Sequence, residues 1–506
     1  MKKINSFFSN TKAKLPDSNK WIVWFLIALF FKSGIFIYKL SFDKPAIPNQ
    51  IYTATFATEG GDTYSYLEPI ETLIKTGKYT CKPFGDYRMP GYGAAYFAIR
   101  LFLSTTNSLN VLVLLQLILS SLSAYLLAKI AYLVFRKEKF FYLTFIIYTL
   151  STFVSLFDII LLTESLCTSF LIFSLFFLLN FRKSAFYLVS AGFLMTWCIF
   201  LKPVLAPLLL LFALYVFLKG GKLNLKMSNY NWKGILLFII PFVIIDGAWI
   251  IRNYSKYKKI IPLTSLYYSQ TENHWLGSLY SFMNSFGGSL VYWNPGSDMS
   301  FFIPAPEHIK KKKNVLPPAY IYTSKFNYDS LLVVRKLIQD VLHTEGDSIF
   351  RHNNEQEVMT RLNTYTKSIK DEKPFLYYIS SRFKVFRTFF VHSGTYNLFE
   401  RPSFELNPLE WTIKVAYSLL YAIVIIGGFL GSFCLIFNGA KNTEHILVSL
   451  IGLYTALVFP FLLKLDESRY FVTGYPFFVL SCIYFLGVLK AKKLNLNDDT
   501  PPPSKS

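Results

Sequence analysis

Acidic residues are scarce in this sequence. Asp and Glu number 30 against 52 Lys and Arg, and the four types together make up 16% of 506 residues. Cysteine is also rare. Of the five, Cys167, Cys198, Cys434 and Cys482 lie in or at apolar runs and only Cys81 sits in a loop, which excludes a disulfide framework and metal-type cysteine spacing. The formal net charge of +22 is not gathered on a basic face separate from the apolar pattern, which excludes a nucleic-acid binder. Lys2, Lys3, Lys12, Lys14 and Lys20 precede the first apolar run without a small-residue cleavage site, so that run reads as a retained span and not a signal peptide. No internal repeat is found.

What is abundant is apolar surface. Hydrophobic residues account for 53% of the chain, with 51 Phe, more than a soluble domain of this length needs to fill a core. The expected fold class is an all-α integral membrane protein. A helix crosses the hydrocarbon core with about 20 apolar residues, and that length gives about ten candidates. They cover residues 21–38, 109–135, 140–157, 161–181, 185–201, 205–218, 232–251, 411–437, 446–463 and 471–489.

The basic clusters between these runs act as topology determinants and favour anionic lipid as a partner. With a cytoplasmic N-terminus, Arg136, Lys137 and Lys139, then Arg182 and Lys183, then Lys219, Lys222, Lys226 and Lys233, and finally Lys490, Lys492 and Lys493 all fall inside. Both termini are then cytoplasmic, and the expected location is a bacterial inner membrane that the chain crosses several times. The expected organisation is a transmembrane catalytic module over 1–251 with a long outer loop at 41–107, an extracytoplasmic domain over 252–410, transmembrane helices over 411–490, and a cytoplasmic tail over 491–506 whose Pro501 to Pro503 end reads as disordered. The run 91–103 within the outer loop is helix-like and is expected at the membrane surface. In the outer domain, after the Lys run 310–313, Leu331, Val334, Leu337, Ile338, Val341 and Leu342 repeat at helical spacing, and 375–390 carries Arg382 and Arg387 among aromatics.

Chemistry concentrates on the outer side. Glu59-Gly60-Gly61-Asp62-Thr63-Tyr64-Ser65-Tyr66 follows the first span, and its Asp62 fits either an N-cap of the next helix or a catalytic carboxylate among Tyr64 and Tyr66. Tyr87-Arg88-Met89-Pro90-Gly91-Tyr92 places Arg88 just before a helix that Pro90 can begin, where it could hold a phosphate or pair with a carboxylate. Asp158 and Glu164 flank a short loop between two spans. Acids there face a polar cavity or an ion partner, for instance Lys32 of the first span. Lys202-Pro203 ends the fifth span on the outside. Asp246, Trp249 and Asn253 share one helical face beside Arg252. Asp466-Glu467-Ser468-Arg469-Tyr470 adds a further charged cluster near the last span. Carboxylates that can take a proton, beside cations that can hold an anionic leaving group, suit transfer from a phosphorylated lipid.

The chain resembles the GT-C superfamily of membrane glycosyltransferases, in the branch of protein O-mannosyltransferases and lipid A aminoarabinose transferases. The resemblance rests on Gly61-Asp62-Thr63-Tyr64, Arg88-Met89-Pro90-Gly91-Tyr92, Leu162-Thr163-Glu164-Ser165-Leu166 and Leu201-Lys202-Pro203. It continues through Trp249-Ile250-Ile251-Arg252-Asn253-Tyr254, Ile261-Pro262-Leu263-Thr264 and Glu467-Ser468-Arg469-Tyr470 before Pro476, in that order over 21–489. It implies that Asp62 is the general base and that Glu164 positions the acceptor or a divalent metal. The donor would be a polyprenyl-phosphate sugar, its phosphate held by Lys202, Arg252, Arg88 and Arg469. Tyr64, Tyr66, Tyr92, Asp158, Glu467 and Tyr470 are candidate substrate contacts, and the acceptor would be a glycan, lipid or protein. Asp62, Asp158 and Glu164 have the oxygen chemistry for Mg²⁺ or Mn²⁺. The family often carries Arg where this chain has Lys202, which removes a bidentate phosphate contact. The first outer loop also has Arg88-Met89-Pro90 in place of a Lys-Pro-Pro run, which argues against lipid A as acceptor.

Two other classes share these features. A transporter or flippase would also be a basic helical bundle with intramembrane charges, but more often shows a repeat and helices broken at midplane. An assembly factor would use 252–410 only for binding.

Overall fold

A computed structural model describes residues 20–42, 51–80 except 53, 88–220, 231–263, 274–291, 297–303, 315–343, 348–399, 405–438 and 442–498. Cys81, Lys222, Lys226, Thr264, the run 310–313 and the end 499–506 lie outside the described residues. In chain order the principal helices are α1 (Trp21–Phe42), α2 (Thr63–Thr76), α3 (Gly91–Arg100), α4 (Thr105–Phe135), α5 (Glu138–Leu150), α6 (Thr163–Leu179), α7 (Ala185–Leu201), α8 (Ala206–Gly220) and α9 (Trp232–Tyr257). They continue with α10 (His274–Phe286), α11 (Tyr328–His343), α12 (Ser348–Glu372), α13 (Ser381–Val391), α14 (Pro408–Asn438), α15 (Thr443–Leu457) and α16 (Tyr475–Asp498). No strand forms among the described residues, where β pairing is limited to isolated bridges.

Five segments are long and apolar enough to cross a bilayer: Trp21–Ser41, α4, α9, α14 and Thr443–Leu463. Thr163–Leu179, Ala185–Leu201, Pro203–Lys219 and Tyr475–Lys490 are apolar but shorter. Local chemistry explains several ends. Ser104 accepts from the Asn107 N–H at the start of α4, and Asn231 accepts from the Gly234 N–H at 2.9 Å at the start of α9. The expected single helix over 140–157 is not formed. α5 stops at Leu150, Ser151 is extended, and a four-residue helix, Thr152–Ser155, follows. This stretch is rich in hydroxyls, which compete for the backbone; Ser155 Oγ donates to the Ser151 carbonyl at 3.1 Å.

The chain divides into two compact units. The first comprises Met1–Thr264, Ser393–Thr455 and Phe471–Ser506; the second comprises Ser265–His392 and Ala456–Tyr470. In the first, α4 packs against α1, α5 and α6, α7 lies between α6 and α9, and α14 packs along α16. The α14–α16 contact is close enough that a Cβ on Gly431 would lie 1.9 Å from the Ser481 carbonyl oxygen, so only glycine fits. The second unit buries one face of α11 through Leu331, Val334, Ile338 and Val341, as its spacing requires. These meet α10 and α12 around an aromatic centre in which the Phe282 ring lies 5.5 Å from that of Phe326, and Phe326 stacks on Tyr365 at 4.7 Å.

Candidate functional site

Asp62 immediately precedes α2, yet its side chain makes no capping bond. The helix start is satisfied in another way: the Gly60 N–H donates to Thr63 Oγ1 at 2.8 Å, and the Thr63 N–H donates to the Gly60 carbonyl at 3.0 Å. The Asp62 carboxylate turns instead to Arg88, whose Nη2 lies 2.8 Å from Oδ1. Arg88 is held over the Tyr66 ring at 4.7 Å, and Tyr79 Oη donates to its carbonyl at 2.8 Å. Both members of the Asp62–Arg88 pair stay about 28–29% exposed, so the pair is open to a ligand.

The loop carrying Asp62 is joined to the loop carrying Asp158 and Glu164. The Thr58 N–H donates to the Ile159 carbonyl at 3.1 Å and the Leu161 N–H returns a bond to the Thr58 carbonyl at 3.0 Å. Thr63 Oγ1 adds a bond to the Leu161 carbonyl at 2.7 Å. Residues about 100 positions apart in sequence are thereby fixed side by side, because each donates to backbone that would otherwise be buried without a partner.

Glu164, in the first turn of α6, is 2% exposed and receives Lys202 Nζ at 2.9 Å from the end of α7. The cluster around it is completed by Tyr92. Burial pushes the Tyr92 phenol well up, and the nearby Glu164 carboxylate and then Tyr66 push it further. Tyr92 Oη therefore stays a donor, to Gln116 Oε1 at 2.9 Å, while its ring lies 5.6 Å from that of Tyr66. The approach of α3 to α7 depends on Gly91, where a Cβ would lie 2.5 Å from the Phe200 carbonyl carbon and oxygen. Arg88 and Lys202 are brought to one locality by that contact. Tyr64 packs on Tyr52 at 6.2 Å between ring centres.

Arg252 occupies an aromatic frame. Its guanidinium carbon lies 4.7 Å from the Trp249 ring and 5.5 Å from Tyr79, and its Nη2 donates to the Tyr79 carbonyl at 3.3 Å. The face shared by Asp246, Trp249 and Asn253 grips the returning segment 261–263. Asp246 accepts from the Leu263 N–H at 2.9 Å, Trp249 Nε1 donates to the Leu263 carbonyl, and Asn253 Nδ2 donates to the Ile261 carbonyl at 3.0 Å. Tyr79 thus links two candidate phosphate contacts, Arg88 through its hydroxyl and Arg252 through its ring.

Asp158 has a different setting. It is fully buried, takes Lys32 Nζ at 3.5 Å and Ser165 Oγ at 2.6 Å, and Lys32 also donates to Ser120 and Ser155 at 2.8 Å each. This is the ion pair with the first span. It ties the loop to α1. Glu467, Arg469 and Tyr470 belong to the second unit, where Arg469 Nε lies 2.7 Å from Glu467 Oε1 and Nη2 donates to Tyr470 Oη at 3.3 Å.

Gln116 did not emerge from the motif reading. Besides accepting from Tyr92 it donates from Nε2 to the carbonyls of Asp158 and Ile160, both at 3.1 Å, so one fully buried amide ties α3, α4 and the acidic loop together. A single amide within the apolar stretch 111–128 is the signal that marks it. For Mg²⁺ or Mn²⁺ the donor set does not fit. Asp62, Asp158 and Glu164 each face a cation of the chain itself, and among the described residues no group of three metal-ligating side chains converges.

The fold and site define an all-helical membrane-type chain carrying acid–cation pairs at the ends of its helices. No family model and no curated protein matches the sequence. Among solved structures it is similar to the archaeal oligosaccharyltransferase AglB from Archaeoglobus fulgidus, in complex with an inhibitory peptide and a dolichol-phosphate. That match has 14% identity, a TM-score of 0.42, and covers 95% of this chain and 52% of the other. An Archaeoglobus fulgidus oligosaccharyltransferase in the apo form matches at 12% identity and the same TM-score of 0.42. The chain therefore spans about half the length of these enzymes, 52% in each case. At a TM-score of 0.42 no function passes from them to this chain.

Proposed function

We propose that the protein is a membrane glycosyltransferase that moves a sugar from a polyprenyl-phosphate donor to an acceptor hydroxyl at the extracytoplasmic face. The observation that carries this is the join of the two acidic loops through Thr58, Thr63, Ile159 and Leu161, which sets Asp62–Arg88 and Glu164–Lys202 into one polar locality. A site for this reaction needs a carboxylate to accept a proton and cations to receive phosphate; Asp62 and Glu164 lie on the two joined loops, and Arg88 and Lys202 reach them from just before α3 and the end of α7.

In the proposed step the acceptor attacks the anomeric carbon. The bond from that carbon to the phosphate oxygen breaks, the polyprenyl phosphate leaves with the electron pair, and the acceptor proton passes to Asp62. The Arg88 guanidinium, 2.8 Å from Asp62 Oδ1, holds the carboxylate that acts as base in this reading. In this reading Arg88, Lys202 and Arg252 take up the phosphate charge, Arg88 and Lys202 by exchanging a carboxylate for it. Glu164, buried against Tyr92 and Lys202, positions these groups and the acceptor.

The test uses purified full-length protein in nanodiscs with a radiolabelled polyprenyl-phosphate sugar and a cell-envelope extract as the source of acceptor. Wild type should release polyprenyl phosphate, and Asp62→Asn should lower that rate by about 10²–10⁴-fold with unchanged expression and elution. Movement of intact donor across the membrane without cleavage would replace the transferase with a flippase, and near-normal turnover in Asp62→Asn would remove Asp62 as base.

A further inference from the structure

α15 does not end at Leu457. It continues as a wide π turn, Val458–Leu463, and the chain leaves it at Lys464 in a left-handed conformation, φ 52. Leu462 and Leu463 just before the exit are 75% and 41% exposed. Packed beside this end is α13, with the Phe383 and Phe386 rings 5.7 and 5.4 Å from Phe461. Outward from it, Phe375, Ile379 and Phe383 form an exposed apolar stripe spaced by four residues. Exposed leucines at the end of a span and an exposed apolar stripe on the helix beside it suit acyl chains, not water.

Two cations stand at that edge. Arg382 donates to the carbonyls of Phe461 and Tyr378. Lys464 Nζ donates to the Asn284 carbonyl at 3.1 Å and lies 4.7 Å over the Tyr377 ring. Neither meets a carboxylate among the described residues, and the acids nearby are engaged elsewhere. Asp298 lies 3.6 Å from Lys384, Glu467 is paired with Arg469, and Asp466 is buried and accepts from the Leu290 N–H at 3.4 Å. Two adjacent cations half-withdrawn from water without an anion are unfavourable alone and become favourable with one between them.

We propose that Lys464 and Arg382 form a binding site for the phosphate of an acidic phospholipid headgroup, whose acyl chains run along Leu462, Leu463 and Phe383. The site lies wholly in the second unit and does not rest on the transferase reading. Burial, and then the charge of Arg382, push the Lys464 ammonium down to about 8. Arg382, the Tyr377 ring and the Asn284 carbonyl are what face it from α13, the turn before α13 and α10. Below that value the lysine is charged and holds a phosphate; as pH rises through it the charge and the headgroup are lost together.

The experiment measures melting of the delipidated full-length protein in detergent with added phosphatidylglycerol, with phosphatidylcholine and with inorganic phosphate at matched concentration. Phosphatidylglycerol is expected to raise the melting temperature by several degrees at pH 7 and by much less at pH 9, with little effect from the other two. Lys464→Arg should keep the shift at both pH values, and Lys464→Gln with Arg382→Gln should weaken the lipid by about tenfold or more. An undiminished shift in the double variant, or an equal shift from inorganic phosphate, would overturn the site. Should the double variant fail to fold, the pH response of wild type against Lys464→Arg decides the matter, since identical profiles exclude Lys464.

Discussion

Lys32 and Asp158 are both fully buried and 3.5 Å apart, and three serines complete their bonding. Removing one partner leaves a buried charge alone, whereas removing both leaves only a polar gap. Lys32→Met or Asp158→Asn singly should therefore destabilise the protein by about 3–5 kcal/mol, and the double substitution by clearly less. Melting of the three variants in one detergent checks this, and additive losses would show that the pair is not coupled. The partly exposed pair Asp62–Arg88 should behave in the opposite way. Arg88→Gln should leave the melting temperature within a degree or two, because a partly exposed ion pair contributes about 0–1 kcal/mol, while turnover falls. A large melting loss in Arg88→Gln would make the pair structural.

At the level of the helices, close approach is set by glycines that no periodicity singles out. On Gly91 a Cβ would meet the Phe200 carbonyl at 2.5 Å, and on Gly431 it would meet the Ser481 carbonyl at 1.9 Å; at Gly61 it would meet nothing within 4 Å. Gly91→Ala and Gly431→Ala should each cost about 1–3 kcal/mol by forcing helices apart, with Gly61→Ala nearly neutral. Activity separates the first two. Gly91→Ala moves α3, which carries Tyr92, away from α7 and Lys202, so its turnover should fall further than its stability explains. Gly431→Ala should lose stability with turnover per folded molecule retained. Equal effects of the two on turnover would contradict the role given to the α3–α7 contact.

Across the whole molecule the helix ends alternate in chemistry. Glu164 begins α6 and Lys202 follows α7, while Arg182 and Lys183 sit in the turn between the far ends of the same two helices. At that far end Lys219 pairs with Glu444 at 2.6 Å and Arg182 donates to the Lys219 carbonyl. By the positive-inside rule the expectation is that this basic end faces the cytoplasm and the Glu164–Lys202 end faces outward. In a cysteine-free background, Thr76→Cys should react with a membrane-impermeant maleimide in intact cells, and Lys183→Cys only after lysis. The reverse pattern would invert the orientation and move the proposed chemistry to the cytoplasm.

Much of this was legible in the chain itself. Apolar runs of sufficient length fixed where most helices lie, since a bilayer-length helix must satisfy its own backbone and expose apolar side chains. The face of α11 and the shared side of Asp246, Trp249 and Asn253 followed from helical period for the same local reason. Local sequence also marked Asp62, Arg88, Glu164 and Lys202 as unusual charges at span ends. It did not decide what each charge meets. Whether Asp62 caps a helix or faces Arg88, whether Asp158 lines a cavity or holds Lys32, and why residues 140–157 break at Ser151 depend on groups from distant positions competing for the same bonds. The long-range join at Thr58 and Ile160, the role of Gln116 and the position of Lys464 and Arg382 without a carboxylate partner among the described residues belong to tertiary structure alone. Burial raises the energy of every unmet polar group, and only the assembled fold determines which partners are near enough to meet it.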